Sequence, residues 1–378
     1  MNKNIKSCKR CLNDSYDQQI VFDEDGICNY CKRYDEEMKN FYHAYNNGET
    51  KFQNIILDIK KNTKKKYDCI IGLSGGVDST YLAYLLKKYD IKVLAVHIDA
   101  GWNTELSVSN IQKIIDYTGF DLETVVIEWD EIKRLQVAFL KAEIMNQDIP
   151  QDHAFFASLY NTAIKEEIKY VFTGSNMQTE GMVGYYGHNA MDSRYLKDVF
   201  KKFGTGKLQK YPIINFFKLY FLIPFIYKIR VIKPFNYLGY DKEKATQILI
   251  DKVGYKPYKY KHGESVWTRF FQDYMLVNKF DFDKRKTHLS AQMLINLISK
   301  DEAREILRTP AYNMEHFQHD SDYIARKLEI TPNEFKSYLK HKGLDPNFFL
   351  SNNNIYKVLK KLQSIIERIT KKKISNYS

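Results

Sequence analysis

Cys69-Ile70-Ile71-Gly72-Leu73-Ser74-Gly75-Gly76-Val77-Asp78-Ser79-Thr80 is the stretch on which the fold of this chain turns. Its first half is an apolar run of the length expected for a buried strand, and residues 79–88 carry a helical pattern. Two glycines make the turn between them. A strand, a glycine turn and a helix N-terminus together form an anion site. Without Cβ atoms the backbone comes close to a phosphate, and free N–H groups and the helix dipole favour negative charge. Ser74 and Ser79 add hydroxyl donors. Asp78 beside a phosphate calls for a cation between the two, which implies Mg²⁺.

The run holds no Lys, so it is not GxxxxGK[ST], and it is not GxGxxG. It resembles the SGGxDS loop of the PP-loop ATP pyrophosphatases, which cleave ATP to AMP and pyrophosphate. Around it, residues 68–73, 92–98, 123–127 and 170–173 read as strands, alternating with helices at 79–88, 105–118, 130–144 and 155–168. This is an α/β pattern: a parallel sheet with helices on both faces and ligands outside the carboxyl ends of its strands. From about 241 the chain reads as mostly helical, with helices at 290–299, 320–327, 332–341 and 355–369. The expected division is 1–40, 41–240 and 241–378. In the last helix Ile355, Val358, Leu359, Leu362, Ile365, Ile366 and Ile369 form one apolar stripe. Packing on its own body is the expectation, and a homodimer seam the alternative.

Cys8, Cys11, Cys28 and Cys31 give C-x₂-C-x₁₆-C-x₂-C, with Gly26 before the second pair. Two such knuckles bring four thiolates to a tetrahedral Zn²⁺ of the zinc-ribbon kind. All four positions are filled by protein, so the metal is expected to be structural. An iron–sulfur cluster is the alternative. Disulfides need an oxidising compartment, and residues 1–10 are too polar for a signal peptide. Cys69 reads as a small buried residue.

The chain has 378 residues, 44% of them hydrophobic, enough for a substantial core. Its net charge of +12, from 58 basic and 46 acidic residues, suits nucleic acid, an anionic small substrate or an acidic protein. The lysine runs at 60–66 and 371–373 read as solvated helix ends. Residues 212–229 are the most apolar stretch, but Lys218 and Pro224 interrupt it and it is short for a bilayer span. A buried helix or a hydrophobic cover over a site is expected, with membrane-surface contact as the alternative. The expected location is the cytoplasm.

Two further strand ends carry small and polar groups. Val96-His97-Ile98-Asp99-Ala100-Gly101-Trp102 should lie beside the phosphate loop, where Gly101 permits a turn and backbone groups reach an adenine edge. Trp102 reads equally as core or nucleotide contact. His97 by itself reads as structural. Thr173-Gly174-Ser175-Asn176-Met177-Gln178-Thr179-Glu180-Gly181 loads another strand end, and Glu180 is placed to share Mg²⁺ with Asp78.

The chain as a whole resembles the N-acetyl sugar amidotransferases, a PP-loop branch that converts an acetamido group to an acetamidino group. The likeness runs through the cysteine knuckles, the phosphate loop, 96–102, Pro150-Gln151-Asp152-His153-Ala154-Phe155-Phe156, 173–181, Lys233-Pro234-Phe235-Asn236-Tyr237, Lys261-His262-Gly263-Glu264-Ser265 and 280–290. It implies attack of the amide oxygen on the α-phosphate of ATP, giving an O-adenylyl imidate and pyrophosphate, after which ammonia displaces AMP. Ser74, Asp78 and Ser79 would be catalytic. ATP would lie against Ser74, Gly75, Gly76, Val77, Asp78, Ser79, His97, Asp99, Gly101, Gly174 and Ser175.

For the sugar, the expected residues are Asp152, His153, Asn176, Glu180, His262, Glu264, Arg269, Arg285 and His288. Either arginine could pair a carboxylate or diphosphate. No cysteine is left for a glutaminase. The resemblance therefore implies ammonia from separate glutaminase and cyclase-like subunits, with no nucleic acid. A nucleotide-linked diacetamido uronic acid of lipopolysaccharide O-antigen is the expected substrate. Pseudaminic- or legionaminic-type acids, destined for flagellin or surface glycans, are one alternative, and a tRNA-thiolating PP-loop enzyme another. A scaffold protein keeping an inactive nucleotide fold is a third reading.

Overall fold

The computed structural model describes residues 5–370 except 18, 45, 183, 185–187, 260–261 and 341–342, and does not describe the side chains of 362–370. Five parallel strands make one sheet: β1 (Cys69–Gly72), β2 (Val93–Asp99), β3 (Asp121–Val126), β4 (Tyr170–Phe172) and β5 (Arg230–Ile232). Their order is β3-β2-β1-β4-β5, with β1 central. Ile71 pairs with Ala95 on one side and Phe172 on the other. Strand order reverses at β1, so the crevice opens at its carboxyl end, where the phosphate loop begins.

Alternation along the strands supplies both faces. Ile70, Leu94, Val96 and Val171 point into a core shared with the helices Trp129–Ala142, Ile149–Lys165 and Ser193–Phe203. Cys69, Ile71, Val93, Ala95 and Phe172 point the other way, onto Gly48–Asn62, Val77–Lys88 and Lys242–Val253. The α/β reading is thus realised, and Cys69 is a fully buried core residue whose thiol is pushed up by burial.

The helical C-terminal region does not stand apart. Trp267, Phe270, Phe271, Phe335 and Ile324 close a core that also takes in Trp102 and Leu140 from the sheet unit. Trp102 is 2% exposed, with its ring 5.5 Å from Trp129 and 5.4 Å from Trp267, so it packs in this core, and it also lines the cavity described below. The cysteine module packs on Met177, Met182 and Ala291.

Several expectations need correction. β5 falls just after the apolar segment and was not anticipated as a strand; Arg230-Val231-Ile232 before a Lys-Pro pair was its faint signal. Residues 218–226 form a helix, of the π type and containing Pro224, but it is not buried as a whole. Phe217, Phe225 and Ile226 are 59%, 55% and 67% exposed, while Ile223 is buried. Proline removes one backbone donor and widens the turn, so the segment presents apolar side chains outward and inward alike. Its inner face, through Leu219, Tyr220 and Ile223, does line the cavity described below, as a cover would. The helix expected at 290–299 is Arg285–Leu294. The one expected at 155–168 begins earlier, at Ile149, because Pro150 occupies its first turn. Among the described residues no helix is long and apolar enough to cross a membrane. Four of the seven residues of the C-terminal stripe, Leu362, Ile365, Ile366 and Ile369, lie outside the described side chains. Ile355 and Val358 are exposed.

Candidate active site and metal centre

The phosphate loop is held from within and from behind. Gly75 has φ +79°, and a Cβ there would lie 2.6 Å from the Ser107 carbonyl oxygen, so glycine is required twice over. The Ser74 N–H donates to Ser79 Oγ at 3.2 Å, the Gly76 N–H donates to Ser74 Oγ at 3.3 Å, and the two hydroxyl oxygens are 3.1 Å apart. Tyr258 and Tyr255 donate their hydroxyls to the Gly75 carbonyl at 3.0 and 3.3 Å. Val77 opens the helix Val77–Lys88, and its first-turn Asp78 accepts a hydrogen bond from Tyr240 Oη. Lys242 Nζ is 3.5 Å from the other Asp78 oxygen. A Cβ on Gly174 would sit 3.0 Å from the Asp78 carbonyl, which fixes how closely the β4 end approaches the loop.

A cavity of about 1130 Å³ opens at these strand ends. Ser74, Asp78, Ser79, His97, Gly174, Ser175, Glu180, Asp152, His262 and Glu264, all expected from the sequence, line it together. Glu264 reaches the loop: a Cβ on Gly76 would be 3.7 Å from its carboxylate. Burial alone would push the Glu264 carboxyl up, but the His262 imidazole, 3.7 Å away, brings it below the ordinary value. His97 is fixed by its neighbours. Its Nδ1 donates to the Leu73 carbonyl at 2.9 Å and its Nε2 accepts from Asn103 Nδ2 at 3.1 Å.

Other expected residues serve the scaffold. The Asp99 carboxylate accepts from the Gly101 N–H at 2.7 Å and from Asn103 at 3.0 Å, tying the turn after β2. Gly101, at φ +82°, lets the Trp129 ring approach the backbone closely, where a Cβ would stand 2.5 Å from its Cε3. Neither lines the cavity. Asn176 caps its short helix by accepting from the Thr179 N–H at 2.9 Å. His153 is fully buried, bridging the Ala190 carbonyl at 2.8 Å and the Ile214 N–H at 3.2 Å. His288 Nδ1 donates to the Thr179 carbonyl at 2.9 Å. Arg269 pairs with buried Asp320 at 2.6 Å, and Arg285 with Asp283 at 2.7 Å and the Thr309 carbonyl at 2.8 Å. Both guanidiniums are paired within the C-terminal region, and neither lines the cavity.

The cavity also takes in groups to which the sequence assigned no role, although Gln151, Lys233 and Lys284 lie in segments that carry the resemblance. Lys233 lines it, with its ammonium pushed down by burial against the opposing pull of Glu37 and Glu180. Asp148, Gln151, Thr268, Gln272 and Lys284 form a polar wall beside Asp152. Asp148 accepts from Gln151 at 2.7 Å and Gln272 at 2.8 Å, and Lys284 donates to Gln272 at 3.0 Å. Only their chemistry, not their spacing, could have signalled them, since they come from three separate segments.

The four knuckle cysteines converge as expected. All are buried, and their sulfurs lie within 4.8 Å of one another. Backbone N–H groups of Arg10, Asn13 and Cys28 donate to sulfurs at 3.4, 3.4 and 3.3 Å. Crowding drives the Cys28 thiol down and the Cys11 and Cys31 thiols up, since four neighbouring sulfurs cannot all ionise without a cation. Four buried sulfurs with amide donors suit Zn²⁺.

Two family models match the chain. Residues 51–213 match the one described as NAD synthase, and residues 264–363 the one described as the C-terminal domain of WbpG-like LPS biosynthesis proteins. Among curated proteins, tRNA(Ile)-lysidine synthase of Chlamydia pneumoniae is 49% identical over 43 residues, 11% of this chain and 13% of that protein. The same enzyme of Chlamydia felis (strain Fe/C-56) is 51% identical over 39 residues, 10% of this chain and 12% of that protein. The chain thus spans only a small part of the length of the curated relatives it matches. Among solved structures, NH3-dependent NAD synthetase from Campylobacter jejuni subsp. jejuni NCTC 11168, in complex with the nitrate ion, is 16% identical, covering 45% of this chain and 72% of that one (TM-score 0.28). NMN synthetase from Francisella tularensis is 17% identical, covering 56% and 87% (TM-score 0.28).

Proposed function

We propose that this chain, in which a region matching the NAD synthase model is joined to one matching the C-terminal domain of WbpG-like LPS biosynthesis proteins, is a PP-loop amidotransferase of lipopolysaccharide biosynthesis that forms an acetamidino group from the acetamido group of a nucleotide-linked sugar, splitting ATP to AMP and pyrophosphate. The observation that carries this reading is the single cavity in which the phosphate loop faces Glu180, Glu264, His262 and Asp152. One end suits a triphosphate and the other a polar substrate.

In this reading Ser74, Ser79 and the Gly75–Gly76 amides hold the leaving pyrophosphate. Asp78 and Glu180, which both line the cavity, would hold Mg²⁺, which neutralises phosphoryl charge when bound. Lys242, beside Asp78, adds a fixed positive charge. The amide oxygen is a poor leaving group, so its adenylylation is what the aligned ATP accomplishes. The zinc module is structural. Ammonia comes from separate glutaminase and cyclase-like subunits. A diacetamido uronic acid of O-antigen is the favoured substrate, ahead of the nine-carbon pseudaminic and legionaminic types. The short lysidine-synthase match supports a second reading, a tRNA-modifying enzyme.

The test is mass spectrometry of a reaction of purified protein, Mg-ATP, ammonium and a panel of acetamido sugars. AMP together with a product lighter by the difference between O and NH is the expected result. AMP formed only when tRNA is supplied overturns it in favour of the second reading.

A further inference from the structure

Amidine formation, the reading on which this inference rests, has a second step that needs a base. Take the adenylyl imidate that keeps its amide N–H. The ammonia lone pair attacks its carbon, a C–N bond forms, and the new nitrogen carries three hydrogens and a positive charge. One of those protons must leave before the C–O bond to the adenylate breaks, with AMP taking the electron pair and an amidinium remaining. Ammonia arriving as ammonium has one more proton to lose.

The cavity offers few groups able to accept that proton. Both ring nitrogens of His97 are engaged by Leu73 and Asn103. His262 lies against Glu264, which itself stands at the phosphate loop. Lys233 sits at the far strand end facing Glu180. Asp152 differs from all of these. It lines the cavity on the first turn of the helix Ile149–Lys165, and its carboxylate has no hydrogen-bond partner among the described residues.

Its surroundings are built. Asp148, 2% exposed, lies one turn before it and is clamped by Gln151, Gln272 and Thr268. Thr268 in turn bonds Gln151 at 2.6 Å and is capped by Ser265, next in sequence to Glu264. A short run of contacts thus links the acidic wall to the phosphate loop.

We propose that Asp152 is the general base of the ammonia step, with Asp148 and Lys284 as positioning residues that set its charge. Burial, and then Asp148, push the Asp152 carboxyl up to about 8, against the opposing pull of Lys284; Asp148 is itself pushed up by burial, so the two carboxyls titrate as a pair. Tyr211, the other titratable neighbour, is held neutral by burial and by Asp152 itself. A base poised near working pH is the efficient one, and such groups contribute roughly 10²–10⁴-fold.

The experiment separates the two half-reactions. Sugar-dependent exchange between ATP and labelled pyrophosphate reads adenylylation, and ammonia-dependent amidine formation reads the second step. Asp152→Asn should lose about 100-fold in amidine formation and much less in sugar-dependent exchange. At fixed free ammonia, the unaltered protein should rise to a plateau above a pH of about 8, a limb that Asp152→Asn lacks. Asp148→Asn should move that limb to lower pH, since it removes a like charge. Full amidine formation by Asp152→Asn overturns the proposal. So does equal loss of exchange, which would make Asp152 a sugar-binding residue. A flat profile in the unaltered protein overturns it without any variant. Absence of both exchange and amidine in the unaltered protein would instead sink the amidine-forming reading, and this role with it.

Discussion

The backbone of Gly75 lies against that of Ser107 so closely that a Cβ would stand 2.6 Å from the Ser107 carbonyl oxygen. The opposing atom is backbone and cannot swing away, and φ at Gly75 is +79°. Gly75→Ala therefore combines a clash with left-handed strain of about 1–3 kcal/mol. The chain should still fold, since the loop lies at the edge of the core. ATP–pyrophosphate exchange should drop by at least about 10-fold, and calorimetric titration with ATP should show the loss as weakened binding.

Lys242 and Tyr240 converge on Asp78 from the start of one helix. On the reading above, Lys242 contributes a charge-assisted contact worth ~1.5–3 kcal/mol. Lys242→Ala should raise KM for ATP by about 10-fold or more. Tyr240→Phe should leave affinity for ATP alone less changed but raise the Mg²⁺ concentration needed for half-maximal exchange. Equal responses to Mg²⁺ in both variants would count against Asp78 as the metal carboxylate.

The cysteine module should contain one zinc per chain by elemental analysis, without the visible absorption of an iron–sulfur cluster. Cys11→Ala or Cys28→Ala should lose it. Strong chelators should lower the melting temperature, because the module packs on Met177, Met182 and Ala291 next to the cavity wall.

Arg269 and Asp320 form an ion pair in the C-terminal core, and Tyr312 donates to the same Asp320 oxygen at 2.6 Å. Arg269→Ala leaves that carboxylate without its cation. The expected loss is about 3 kcal/mol in denaturant unfolding, with kcat at permissive temperature little changed. A specific rise in KM for the sugar, with stability intact, would restore Arg269 to the substrate site.

Asp152 carries a pH signature in stability as well. Its folded value of about 8 stands well above the unfolded one, near ~3.9. Between these the folded chain holds a proton that the unfolded chain has lost, so this group's contribution falls as pH rises from about 4 towards 8 and is flat above. Asp152→Asn should therefore gain melting temperature relative to the unaltered protein at pH ~9, and gain little at pH ~4.

The local parts of this protein were written locally. The phosphate loop needs glycines, hydroxyls and an acid within six residues, after a strand and before a helix, and all six are contiguous in Ser74-Gly75-Gly76-Val77-Asp78-Ser79. The cysteine cluster follows from two x₂ spacings, because a knuckle is a short-range turn. The parallel sheet follows from apolar runs alternating with amphipathic helices. What the sequence could not assign was which of its charged residues meet across the crevice. Arg269 and Arg285 carry the same charge as Lys233, Lys242 and Lys284, yet only the lysines face the cavity or the Asp78 carboxylate. Burial of the arginines against Asp320 and Asp283 is decided by helix packing over tens of residues, and so is the closeness of Asp148 to Asp152, Gln272 and Lys284. Short-range pattern determined the phosphate loop, the cysteine cluster and the sheet; long-range packing alone decided which polar groups share a cavity wall, and with that their protonation.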